Sequence, residues 1–116
     1  MMNLSELKTR RDLLGRIDWE MTPQEAYETF QLKTPEGWRR RGASDSLFFC
    51  IDVWAGEKRL LLIHRTMLDS EELAEIEAPA ALLEACLAAQ AGSNPSKGKH
   101  PLDQPLADWL KAALEI

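Results

Sequence analysis

The chain has 116 residues and a net charge of −5 at neutral pH; 45% of its residues are hydrophobic and 28% are charged. This length predicts one domain, residues 1–116, with a hydrophobic core large enough to be stable without disulfide bonds or bound metal ions. The negative net charge argues against nucleic-acid binding by the whole surface, although a local basic patch could still bind it. No apolar run reaches the roughly 20 residues of a membrane-spanning helix, and the N-terminal residues lack the apolar core of a signal peptide. We therefore expect a cytoplasmic protein that does not bind membranes.

The two cysteines give no sign of a disulfide or of a metal site. Cys50 lies in a predicted strand and Cys86 in a predicted helix, and neither belongs to a CxxC motif or to a cluster with histidine. A disulfide framework or a zinc site would need such spacing, so we expect two reduced, buried thiols. The chain also has no glycine-rich phosphate loop and no known catalytic signature. We expect no bound metal and no cofactor.

Two helices are predicted in the N-terminal part of the chain. The first spans residues 3–14, where Asn3 and Glu6 have the spacing of a capping box. The second spans residues 22–32 and has the clearest start signal in the sequence. Thr22 can accept hydrogen bonds from the first-turn amides, a proline occupies the first helical position, and a glutamate follows at the capping-box position.

The loop between residues 34 and 45 contains the densest positive charge in the chain, in Trp38, Arg39, Arg40 and Arg41. An aromatic ring beside three guanidinium groups is suited to stacking on a base or to holding phosphates and carboxylates. The other interpretation is that Trp38 anchors the loop on the core while the arginines pair with nearby acidic residues. The first interpretation predicts an anion-binding or nucleic-acid-binding loop, and both stay open at this point.

The rest of the chain is organised around a predicted hairpin at residues 46–66. Two runs of mainly β-branched, aromatic and aliphatic residues, 47–54 and 59–66, are separated by Ala-Gly-Glu-Lys. The glycine can adopt the positive φ angle that a tight hairpin turn requires. A turn centred on these four residues predicts that Trp54 lies opposite Arg59.

Side chains alternate across a strand, so the hairpin has two faces of different character. The first face is nearly all apolar and predicts a core: Leu47, Phe49, Ile51, Val53, Leu60, Leu62 and His64. The second face would be polar if it were solvated, but several of its residues are large and apolar. Its candidate interaction residues are Phe48, Trp54, Arg59, Leu61, Ile63 and Arg65. Because exposing these apolar groups to water is unfavourable, we expect helices of the same chain or a protein partner to cover this face.

The C-terminal half predicts one more strand and two helices. The segment after the hairpin fits either a helical turn or an edge strand, and we favour a strand at 73–77 that completes a three-stranded meander. A helix follows at 80–91. Residues 93–101 contain turn formers, two lysines and no large hydrophobic side chains, which predicts a mobile surface loop. The last helix spans 103–115, with Trp109 as the expected core anchor on its apolar stripe.

Three segments together carry a resemblance to a known group of proteins. They are the run IDWEMTPQEAYETFQL, the basic segment that follows it, and the hairpin FFCIDVWAGEKRLLLIHR. The chain resembles small uncharacterised bacterial proteins of the sulfate-reducing deltaproteobacteria, over about residues 10–115. The resemblance implies a bacterial cytoplasmic origin. It implies no activity, cofactor, partner or site residue.

These elements predict an α+β fold, in which about four helices pack on a two- or three-stranded antiparallel meander. We expect a non-enzymatic protein-interaction or regulatory module, with a homodimer through the second face as one form and an unknown protein partner as another. The alternative is anionic-ligand or nucleic-acid binding through the arginine-rich loop. An enzyme would need His64 to act with Asp52 or Cys50, but alternation puts His64 on the opposite face from both.

Overall fold

The computed structural model describes residues 1–26, 45–66, 69–93 and 98–116. These residues contain a four-stranded sheet in the order β3-β2-β1-β4, and each pair of neighbouring strands is antiparallel. The strands are β1 (Asp45–Trp54), β2 (Glu57–Thr66), β3 (Ser70–Ile76) and β4 (Lys99–His100). The helices are α1 (Leu4–Lys8), α2 (Arg11–Leu14), α3 (Ala80–Ala89) and α4 (Gln104–Leu114), and residues 23–26 are also helical. The predicted α+β class is confirmed, with four strands where two or three were expected.

The hairpin of β1 and β2 forms as predicted, but its register differs from the prediction by two residues. Trp54 lies opposite Glu57, whereas we expected Arg59 there. The cause is the turn, which consists only of Ala55 and Gly56, with φ angles of 52° and 84°. Two successive positive φ angles are typical of a two-residue hairpin turn, but the first position normally holds Asn, Asp or Gly rather than alanine. Because the shift is an even number of residues, the same side chains still share each face.

The first face of the sheet forms the main core. Helices from both ends of the chain pack on it, and its buried members are Leu7, Leu13, Leu14, Ile17, Leu47, Phe49, Ile51, Leu60, Leu62, Ala74, Ile76, Leu83, Cys86, Leu106, Leu110 and Leu114. In α4 the fully buried side chains are Leu106, Leu110 and Leu114, spaced four residues apart as on one face of a helix. Trp109 packs against this cluster but is only partly buried, so the leucines rather than Trp109 anchor α4.

The strand β4 lies in the segment that we predicted to be a surface loop. Residues 99–100 pair with Ile51 and Asp52 of β1, so the loop prediction was wrong at these positions; residues 94–97 lie outside the described part of the chain. Gly98 lies close to the backbone of β1, and its carbonyl accepts a hydrogen bond from the Val53 N–H at 2.9 Å. A Cβ atom at Gly98 would lie 2.7 Å from the Val53 carbonyl oxygen. A long-range contact between backbones of this kind leaves no local sequence pattern.

The helix predicted at residues 3–14 is divided into α1 and α2. The capping box is confirmed: the Glu6 N–H donates to Asn3 Oδ1 at 2.9 Å and the Asn3 N–H donates to Glu6 Oε1 at 3.4 Å. At the end of α1 the Thr9 hydroxyl donates to the Glu6 carbonyl at 2.7 Å. Such a local bond competes with continuation of the helix, and the chain turns before α2 begins at Arg11.

The second predicted helix starts where its cap indicated. The Glu25 N–H donates to Thr22 Oγ1 at 3.1 Å, and the remainder of the predicted range 22–32, from residue 27 onward, lies outside the described residues. The segment that fitted either a helix or a strand is β3, which begins at Ser70, before the predicted range 73–77. A register shift interrupts its pairing with β2 between Leu62 and Ile63.

Candidate functional site

Apart from Ser46 and Arg65 at the end away from the turn, the second face of the sheet is divided into two halves, and the half farther from the turn is buried. We call it the covered half; it consists of Phe48, Cys50, Leu61 and Ile63, which form a second cluster with Met21 and Ala26. Each of these four strand residues is at most 3% exposed. Phe48, Leu61 and Ile63 were among the candidate interaction residues, and their burial within the chain leaves them no surface to offer a partner.

The other half lies next to the turn and is open. We call it the tip half; it consists of Asp52, Trp54, Glu57 and Arg59. Trp54 is 76% exposed, the highest exposure among the large hydrophobic side chains that the structure describes. Its cross-strand neighbour is Glu57, so no apolar side chain lies directly opposite the indole ring. Trp54 and Arg59 are the candidate interaction residues that this half places at the surface.

Both cations near Trp54, Arg59 and Lys99, are already paired, whereas Glu57 has no ion pair among the described residues. Arg59 forms an ion pair with Glu75 through a short contact, and a second one with Glu72 at 3.7 Å. Hydrogen bonding to Glu75 is the main reason that the pKa of Arg59 is raised. On the β4 side, Lys99 Nζ lies 3.8 Å from Asp52 Oδ1. The tip half therefore has charges of both signs beside its exposed aromatic ring, and no excess of positive charge that would attract a polyanion.

A cleft of about 660 Å³ opens beside the tip half. It is lined by the first residues of α1, the start of β2 and the end of β3, and Arg59 belongs both to this lining and to the tip half. Its apolar lining comes from Leu4, Leu60, Ile76 and Ala78. Its volume is within the range of about 300–1,000 Å³ that is usual for ligand pockets. The sequence did not predict this cleft, because it combines three segments that are far apart in the chain.

The buried thiol of Cys50 does not fit a nucleophilic role. Burial is the largest cause of a rise in its pKa to about 12, and the carboxylates of Asp52 and Glu72 act in the same direction. The thiol therefore stays protonated at neutral pH, whereas a cysteine nucleophile must form a thiolate. Burial likewise raises the pKa of Cys86, whose Sγ accepts a hydrogen bond from the Asp103 N–H at 3.3 Å.

His64 lies on the first face of the sheet, away from Cys50 and Asp52. Its Nε2 is 2.7 Å from Oδ2 of Asp45, and the same carboxylate oxygen accepts a hydrogen bond from Arg16 at 2.8 Å. The structure therefore does not bring His64 together with Asp52 or Cys50, as the enzyme hypothesis requires. The sequence did not predict the contact with Asp45, because the expected register placed His64 opposite Phe49, two residues further from Asp45.

The arginine-rich loop cannot be assigned to this site. Trp38, Arg39, Arg40 and Arg41 lie outside the described residues, so anionic-ligand or nucleic-acid binding through them stays a prediction from the sequence. Binding that falls steeply with increasing salt, together with a response of Trp38 fluorescence, would support it. Unchanged binding after replacement of the three arginines by alanine would contradict it.

Within the described residues there is no group of three or more His, Cys, Asp or Glu side chains arranged to hold a metal ion. The same part of the chain has no helix with the length and apolar character to cross a membrane. Comparisons with protein-family models, with curated proteins and with solved structures found no match. The functional argument therefore depends on the geometry of the chain itself.

Proposed function

We propose that the protein is a non-enzymatic interaction module that forms a homodimer through the tip half, with Trp54 as the central contact. The observation that carries this proposal is the 76% exposure of Trp54. Tryptophan is strongly enriched among the residues that dominate interface energies. Burying an aromatic side chain of this size removes a large apolar area from water, so a partner that covers Trp54 gains binding free energy.

The charges around Trp54 favour a second copy of the chain as the partner. In a dimer with twofold symmetry the same patch occurs on both sides, so the patch must complement itself. The tip half meets this condition, since Arg59 and Lys99 are accompanied by Asp52, Glu72 and Glu75. The ion pairs of Arg59 and Lys99 bring no uncompensated charge into the interface, which would be costly. The exposed carboxylate of Glu57 has to stay at the hydrated edge of this interface.

The cleft next to the tip half offers a place for the partner's Trp54. Twofold symmetry would let each copy insert its indole ring into the cleft of the other, so that both clefts are filled at once. The apolar part of the lining, which includes Leu60 and Ile76, suits the body of the ring. The Arg59 guanidinium at the border suits a cation–π contact with its face.

The experiment is size-exclusion chromatography with light scattering over a range of protein concentrations. We expect the parent protein to approach twice the monomer mass at high concentration, and Trp54→Ala to remain monomeric. Ile116→Ala is the matched control, because Ile116 is another exposed large hydrophobic residue, at 50% exposure, and lies two residues after the end of α4. A parent protein that stays monomeric at every concentration would contradict the proposal.

A second variant tests the cleft separately from the indole ring. Ser5 lies in the first turn of α1 at the cleft wall and is exposed, so Ser5→Tyr should partly fill the cleft without disturbing the core. We expect this variant to weaken dimerisation while leaving the urea midpoint of unfolding unchanged. If Ser5→Tyr dimerises as strongly as the parent while Trp54→Ala does not, Trp54 contacts another part of the partner.

A further inference from the structure

The end of the second face that is farthest from the turn contains two buried polar atoms without hydrogen-bond partners. Ser46 and Arg65 lie opposite each other on β1 and β2, and the atoms are Ser46 Oγ and Arg65 Nε. Ser46 as a whole is only 7% exposed. A buried donor without a partner is destabilising, so such a group in a native protein needs an explanation, and a bound ion is one of them.

Arg65 differs in this respect from the other strand cations of the second face. Arg59 is paired with Glu72 and Glu75, and Lys99 is paired with Asp52. Arg65 has no carboxylate partner in the part of the chain that the structure describes.

The carboxylate of Asp69, which precedes β3, does not form an ion pair with Arg65 either. Its Oδ1 accepts a hydrogen bond from the Ser70 N–H at 2.8 Å, although Ser70 is the β3 neighbour of Arg65. The Nε–H group of Arg65 therefore has no acceptor among the described residues.

We propose that Ser46 and Arg65 form a binding site for a small oxyanion, either a phosphate or a carboxylate. The guanidinium offers two parallel N–H donors that match the oxygens of such a group. The Ser46 hydroxyl, which shares the same face, supplies a third donor at the buried end. This site goes beyond the proposed dimer interface, because eight strand residues, or about 26 Å, separate it from Trp54.

The test follows the arginine Nε–Hε signals by nuclear magnetic resonance while inorganic phosphate or sodium acetate is added at constant ionic strength. We expect the Arg65 signal to shift and to saturate with one of the two anions, which identifies the class of ligand. Ser46→Ala should weaken that binding about tenfold, and Arg65→Lys, which keeps the charge but loses the two parallel donors, should weaken it at least as much. The signals of the other arginines should move little.

Arg11→Gln is the matched control, because it removes one positive charge at an exposed position of α2. It should bind the anion as the parent does. The proposal is overturned if the Arg65 signal shifts with neither anion, or if it shifts without saturation and in parallel with the Arg11 signal. The parent titration alone decides the question if a variant fails to fold, since the Arg65 Nε–Hε group reports binding directly.

Discussion

The two halves of the second face lie on the same two strands and follow the same alternation, yet their surroundings differ completely. In the covered half, Phe48 is 3% exposed and Leu61 is fully buried. In the tip half, Trp54 is 76% exposed and its neighbours are charged. Alternation along a strand determines which side chains share a face. Whether that face is buried depends on which distant segment packs over it, here the one that contains Met21 and Ala26.

The largest effect is expected from truncation in the covered half. Phe48→Ala should lower the free energy of unfolding by about 3–5 kcal/mol, the usual range for truncating a buried aromatic side chain. The measurement is urea unfolding, with Trp54→Ala as the comparison from the same strand. A loss below about 1 kcal/mol for Phe48→Ala would mean that the covered half is not part of the core.

The thiol in the covered half should be almost unreactive in the folded protein. With a pKa raised to about 12 by burial, the Cys50 thiolate is roughly a thousandfold rarer than at an ordinary cysteine. We expect a disulfide reagent at pH 8 to modify Cys50 only after denaturant is added, as monitored by mass spectrometry of the Cys86→Ala protein. Rapid modification of the native protein would show that the covered half opens to solvent.

The same pKa shift has a consequence for stability with a definite sign. The folded state holds the Cys50 proton more tightly than the unfolded state, whose thiol has the ordinary pKa of 9.0. The stabilisation is therefore fully present below pH 9 and is lost as the pH rises toward about 12. In a Cys50→Ala protein this part of the alkaline loss of stability should disappear.

The border of the tip half depends on the close approach of β4. Gly98→Ala would place a Cβ atom 2.7 Å from the Val53 carbonyl oxygen at a φ angle of +77°, so it should destabilise the fold by about 1–3 kcal/mol. Gly92→Ala is the matched control, since its φ angle is +89° but nothing lies within 4 Å of the added atom. Equal losses for the two variants would mean that backbone strain alone, and not the contact with β1, is responsible.

A residue that prefers a positive φ angle at position 55 should stabilise the hairpin turn. Ala55 has a φ angle of 52°, a conformation in which asparagine is preferred in two-residue hairpin turns. Ala55→Asn should therefore raise the free energy of unfolding by about 0.5–1 kcal/mol, as measured from the urea midpoint. An unchanged or lower midpoint would show that the turn is not under this strain.

The sequence predicted what local patterns can determine. The caps at Asn3 and Thr22, the hairpin itself and the division of its side chains between two faces all follow from residue type and spacing. The register did not, because the first position of the turn is Ala55, whose positive φ angle is unusual for alanine and was not expected from the sequence. That error of two residues also hid the contact between His64 and Asp45.

The remaining features depend on long-range contacts that no local pattern reveals. β4 forms from a polar segment because Gly98 can approach the backbone of β1, and the cleft forms where α1 meets the ends of β2 and β3. For the candidate site, the sequence identified Trp54, Arg59 and Arg65 as surface candidates but grouped them with side chains that are buried. It gave no indication that Ser46 would be a buried neighbour of Arg65.

Fluorine nuclear magnetic resonance of the protein labelled with 5-fluorotryptophan tests most directly whether Trp54 is a dimer contact. The Trp54 signal is identified by its absence from Trp54→Phe, and the protein is diluted from about 1 mM to about 10 µM, a range that includes weak dimers. We predict that the Trp54 signal moves with dilution as the indole ring passes from the partner's cleft into water. The Trp109 signal, from a partly buried side chain of α4 that packs against the main core, should stay constant. A Trp54 signal that does not move over this range would contradict the proposed dimer.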